Sequence, residues 1–142
     1  MVFALLVLLG ISSGEEEIQG LFDRLMAADN RGDVDAVVAC YADDAVLLPP
    51  GGESRQGVEN IRPSYESLFA ANRLEVRMDV ESIEVKGSLA FSRGFTRGRI
   101  VPKDGSPPRE LHDRYLMVLR QGPQGEWKIA ALMWSPAGQG SP

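Results

Sequence analysis

Apolar residues first recur at helical spacing in the segment from Glu15, where Ile18, Leu21, Phe22 and Leu25 fall at i, i+3, i+4 and i+7. Glu15, Glu16 and Glu17 precede them, in the first turn, where the helix dipole favours negative charge. The pattern predicts an amphipathic helix that stops in the stretch ADNRGD, with Asn30 and Gly32 supplying turn chemistry and Asp33 placed to cap a second helix. That short helix presents Val34, Val37, Val38 and Tyr41 on one face, and Asp43 and Asp44 come directly after it. Residues 45–48 read as a short strand that ends at Pro49-Pro50-Gly51-Gly52, because proline has no N–H to donate to a ladder. A third helical stripe from Gly57 carries Val58, Ile61, Tyr65, Leu68 and Phe69. Pro63 lies inside it and predicts either a kink or a helix beginning near Ser64.

After Asn72 the period changes to two. Leu74, Val76, Met78 and Val80 alternate with Glu75, Arg77, Asp79 and Glu81, the mark of a half-buried antiparallel strand. Ile83 and Val85 are out of phase with that series, so a one-residue bulge near Glu81-Ser82 would keep the apolar side chains on one face. Gly87-Ser88 reads as a hairpin turn, and further strands follow over residues 89–101, 111–121 and 127–134. Helices first and a meander of long strands afterwards argue for an α+β fold, a curved antiparallel sheet with helices packed on one face.

At 142 residues the chain fits one domain, taken here as residues 15–136 with a tail over 137–142. The net charge of −5 leaves no basic footprint for nucleic acid or an anionic membrane surface. One cysteine, Cys40, and one histidine, His112, cannot form an internal disulfide or a His/Cys zinc cluster, and the pattern calls for no cofactor or metal. Cys40, beside Val37 and Val38, reads as a small buried hydrophobe. The opening MVFALLVLLGISSG has an apolar run too short to span a bilayer. With Ser12, Ser13 and Gly14 behind it, the run suits the core of a signal peptide and points to export, without the usual positive n-region. A genuine N-terminal apolar extension packed on a partner is the alternative.

The segment AADNRGDVDAVVACYADDAVLLPPGGESRQGVENIR, together with the closing WKIAALMWS, resembles the nuclear transport factor 2-like superfamily. The resemblance is to its small bacterial members grouped with SnoaL-like polyketide cyclases and ketosteroid isomerases, and it extends over about residues 15–135. It implies a cone-shaped half-barrel, a strongly bent sheet wrapped around the first helix, with a pocket in the wide end and a homodimeric state. In such proteins the Asp43–Asp44 pair looks like a helix terminator, not an acid/base pair. In ketosteroid isomerase an Asp base works beside a Tyr and a protonated Asp. Counted from the Asn30 turn, the base position falls on Pro49 and the tyrosine position on Leu25, neither of which can serve. The third position falls on Asp113 or Tyr115, which share one strand face.

His112 and Asp113 are strand neighbours and point to opposite faces, so they do not form a His–Asp pair. Arg93, Arg97 and Arg99 share parity with Phe91 and Phe95. They read either as a site for a ligand carboxylate or phosphate or as cross-strand partners of Glu75, Glu81 or Glu84, and the second reading is preferred. No nucleophile elbow, phosphate loop, dinucleotide fingerprint or zinc-protease motif is present. The expected function is capture of a small apolar molecule in a pocket lined by Leu25, Pro49, Tyr65, Tyr115 and Trp134, with Asp113 fixing its orientation. The alternatives are a cyclase- or isomerase-like enzyme moving a proton through Asp113 or His112, and a dimerisation module.

Overall fold

The computed structural model describes residues 13–138 as three helices and six strands. The expected leader falls on residues 1–14, of which 1–12 lie outside the described residues, as does the tail from 139. Ser13 and Gly14 belong to the first helix, α1 (Ser13–Arg31), and a Cβ on Gly14 would stand 3.4 Å from Val85 Cγ1, so the helix packs closely there. The apolar stripe of α1 continues past Leu25 to Ala28 and Asp29, all buried. Helix α2 (Val34–Val38) is capped by Asp33, whose Oδ1 accepts the Ala36 N–H at 3.0 Å.

The remaining elements are β1 (Tyr41–Leu48), β2 (Arg55–Gln56), α3 (Val58–Ala71), β3 (Asn72–Lys86), β4 (Leu89–Pro102), β5 (Arg109–Gln121) and β6 (Trp127–Pro136). They make one open sheet in the order β2-β1-β6-β5-β4-β3. The sheet is an antiparallel meander from β3 to β6, to which β1 adds in parallel with β6 and β2 adds antiparallel to β1. The core lies between its inner face and the helices, centred on Ile18, Phe22, Val37, Ile61, Leu119 and Ile129. No helix among the described residues is long and apolar enough to cross a membrane.

Three features bend the sheet. The bulge expected near Glu81-Ser82 is present, since Val80 pairs with Gly94 and Ser82 with Arg93, leaving Glu81 as the extra residue. On β4, a Cβ at Gly94 would fall 2.2 Å from the Asp79 carbonyl oxygen. One at Gly98, whose φ is +144°, would fall 1.9 Å from that of Glu75. Only glycine lets β4 approach β3 so closely at these two points.

Three local expectations change. Tyr41, Asp43 and Asp44 do not end a helix. The chain leaves α2 at Ala39, Cys40 O accepts the Ile129 N–H at 2.9 Å, and pairing with β6 draws the segment into β1. Asp43 and Asp44 are exposed on that strand, and Asp44 pairs with Arg120. Asn30 is the second change: it is helical, and its side chain clasps β3, donating from Nδ2 to Val76 O at 2.9 Å and accepting the Val76 N–H on Oδ1 at 2.7 Å. Third, α3 starts at Val58 and runs through Pro63, which removes only the N–H that would have met the Glu59 carbonyl. Burial of Ile61 and Phe69 on either side of the proline holds the helix across the gap.

Candidate functional site

A cavity of about 350 Å³ lies between α1, α3 and the inner face of the sheet. Helix spacing sets its roof, because Leu25, Met26 and Asp29 sit one turn apart on α1, and Tyr65 and Leu68 sit on α3. Sheet alternation sets its floor. On β5 the odd-numbered residues Leu111, Asp113, Tyr115 and Met117 all face inward. Trp134 pairs with Tyr115 across β6, Leu132 pairs with Met117, and Leu47 pairs with Leu132 across β1, so these rows continue into the same space.

The group that stands out is Asp29. It is 8 % exposed, its Oδ1 has no hydrogen-bond partner, and burial pushes its pKa up to about 7. No cation is among the causes that set its pKa, so burial alone holds the proton on this carboxyl to a higher pH than on an exposed one. Its position was readable: continuing the 18, 21, 22, 25 series by three and four residues reaches 28 and 29, which puts an acid on the helix's apolar stripe. The turn-forming character of Asn30 and Gly32 had masked it.

Two hydroxyl pairs lie at the same space. Tyr65 Oη and Tyr41 Oη are 2.6 Å apart, with Tyr41 buried behind the cavity and Tyr65 lining it. Burial raises the pKa of both phenols, so both keep their protons at neutral pH. Tyr115 Oη lies 3.1 Å from the hydroxyl of Ser92, which is fully buried. Because a phenol can accept one bond and donate another, Tyr65 can take the Tyr41 proton as acceptor and still donate into the cavity.

The structure brings Leu25, Tyr65, Asp113, Tyr115 and Trp134 around one space. Pro49 stands outside the lining, because the chain leaves the sheet after Leu48 and Pro49 opens the turn that returns to β2. Asp113 is half-buried, and burial raises its pKa against the opposing effect of His112. His112 is exposed on the outer face, its ring 5.3 Å from that of Phe95. The arginine stripe on that face is engaged by acids of β3: Arg99 with Glu75, Arg93 with Glu81, and Arg97 with Asp79 in place of Glu84. Cys40 is buried, and burial raises its thiol pKa. Met26, Leu47 and Arg55 are lining residues that periodicity and resemblance did not select.

Comparison with known proteins agrees with this fold. The sequence profile described as the SnoaL-like domain matches residues 22–128. Among solved structures, a ketosteroid isomerase-like protein from Erwinia carotovora atroseptica is 25% identical, with a TM-score of 0.81 over 91% of this chain and 100% of that one. A conserved protein from Planctomyces limnophilus is 24% identical, with a TM-score of 0.81 over 87% of this chain and 97% of that one. A nuclear transport factor 2-like superfamily protein from Salmonella enterica is 16% identical, with a TM-score of 0.76 over 89% and 92%.

Proposed function

Since the chain belongs to the SnoaL-like domain family, with the nuclear transport factor 2-like fold, we propose that its cavity binds a small, mostly apolar carbonyl compound and that Asp29 exchanges a proton with it. The observation that carries this reading is a buried acid on the wall of a mostly apolar cavity, Asp29, whose Oδ1 has no hydrogen-bond partner and whose pKa burial raises to about 7. In the proposed reaction the ionised Asp29 removes a proton from the carbon next to the carbonyl. The Tyr65 hydroxyl, backed by Tyr41, donates to the enolate oxygen that develops. Return of the proton to the same carbon gives exchange, and return to a conjugated carbon gives isomerisation. The likeness to a ketosteroid isomerase-like protein supports this chemistry, with the base now on α1 and not at the position of Pro49.

Capture without turnover, the reading favoured by the sequence, shares this cavity and differs in one respect. It gives Asp29 no proton to move. Solvent-deuterium uptake into β-tetralone separates the two: wild type should accelerate uptake, and Asp29→Asn should abolish the acceleration while still binding the ketone. Equal uptake with and without protein would reject turnover and leave capture.

We also assign the outer sheet face to a second copy of the chain. Leu89, Phe91, Leu116, Val118 and Met133 are each 38–51 % exposed there, and Leu116 and Met133 are direct neighbours across β5 and β6.

A further inference from the structure

Among the described residues that line the cavity, Arg55 is the one cation, and among those residues it holds no acid. It makes no ion pair or side-chain hydrogen bond among the described residues, whereas Arg62, Arg73, Arg93, Arg97, Arg99 and Arg120 each hold a carboxylate. Its place is fixed by the short strand β2, which among the described strands pairs with β1 alone. Arg55 stands directly opposite Leu47. Opposite residues of an antiparallel pair project from the same face, so Arg55 shares the inner face with Leu47, Leu132 and Met117, which continue the same row across the sheet. The half-buried Arg55 thus ends a row that is otherwise apolar.

A guanidinium beside apolar walls, with no internal partner, favours an anion that brings its own apolar body. The cavity-lining Asp113 does not supply that anion. It lies four residues along β5 from Met117, about 13 Å of strand away from the row that Arg55 terminates. One cation matches a single negative charge, which fits a carboxylate better than a doubly charged phosphate.

We propose that Arg55 anchors a carboxylate on the ligand of this cavity, so that the ligand is an amphiphilic acid with its apolar body along the row of Leu47, Leu132 and Met117. This rests on the reading that the cavity binds a small apolar molecule, and it adds the ligand's charge. It also separates two recognition tasks, since the charged end is held from the sheet edge while the reacting end is handled by side chains on α1 and α3.

Isothermal titration with naphthoate and its uncharged isostere naphthamide tests the assignment on wild type, Arg55→Gln and Arg55→Lys. Wild type should prefer the acid by about tenfold. The ratio of the two affinities should fall to near one in Arg55→Gln, recover in part in Arg55→Lys, and shrink with added salt in wild type. Amide binding with no advantage for the acid, or an advantage that persists in Arg55→Gln, would overturn the anchor and leave the apolar cavity standing. Failure of both probes to bind wild type would overturn the anchor together with the cavity reading.

Discussion

The phenol oxygens of Tyr41 on β1 and Tyr65 on α3 lie 2.6 Å apart, and only Tyr65 lines the cavity. The two members of the pair are therefore unequal. Tyr65→Phe leaves the Tyr41 hydroxyl buried with no partner and should cost about 1–3 kcal/mol. Tyr41→Phe leaves a Tyr65 hydroxyl that the cavity can solvate and should cost about 0.5–1.5 kcal/mol. Urea unfolding of the two variants gives the order directly, and the reverse order would contradict the placement of Tyr65 at the cavity surface.

Asp29 makes stability depend on pH in an unusual direction. Its folded pKa of about 7 lies above the ordinary 3.8, so the unfolded chain ionises first as pH rises. Between those values the unfolded state is favoured progressively. Stability falls from about pH 4 to about pH 7 and is then level. The total loss is at most about 4 kcal/mol, because each tenfold difference in proton affinity between the two states is worth about 1.36 kcal/mol. Other carboxylates titrate in the same range, so the quantity to measure is the difference between wild type and Asp29→Asn in urea midpoint from about pH 4.5 to 8. The variant should gain on wild type as pH rises. A difference that stays constant would mean that Asp29 titrates normally.

The clasp from Asn30 to Val76 joins the end of α1 to β3, one of the two edge strands. Asn30→Ala removes both bonds and leaves the Val76 N–H and carbonyl without their partner, at a cost of about 1–3 kcal/mol. Amide hydrogen exchange at Val76 should accelerate more than at Leu119, deep in β5. Uniform acceleration across the sheet would show that the clasp is not local.

The assignment of the outer face to a second copy is tested by charge. Leu116→Glu with Met133→Glu places two like charges on neighbouring strands of that face and should convert a dimer to a monomer in sedimentation equilibrium, with the fold retained by circular dichroism. A wild-type monomer at all concentrations would remove the assignment.

Where periodicity was long, the sequence was legible. The fifteen residues of β3 carried enough alternation to reveal the phase slip at Glu81, and the stripe of α1 was clear from Ile18 to Leu25. The segment around Tyr41 was not, because five helical residues and eight strand residues meet there without a glycine or proline between them, and the pairing partner that decides the matter, Ile129, is far away in sequence. The cavity shows the same division. Leu25, Tyr65, Asp113, Tyr115 and Trp134 were reachable through parity and family resemblance. Arg55 depended on a two-residue strand whose register no local pattern encodes. Asp29 was missed for a different reason: a polar residue on an apolar stripe was read as the stripe's end and not as its exception.

The extra residue at Glu81 has a consequence outside the molecule. Strand β3 is long, lies at the margin of the sheet, and beyond the Val76 groups that Asn30 holds would offer free backbone groups to an extended chain that came alongside. An interruption at its middle breaks that template into two short pieces with mismatched phase, so no straight strand can zip along its whole length. A protein with Glu81 deleted would lose this protection over the stretch of β3 beyond the Asn30 clasp at Val76, and edge-to-edge self-association there is the hazard it would incur.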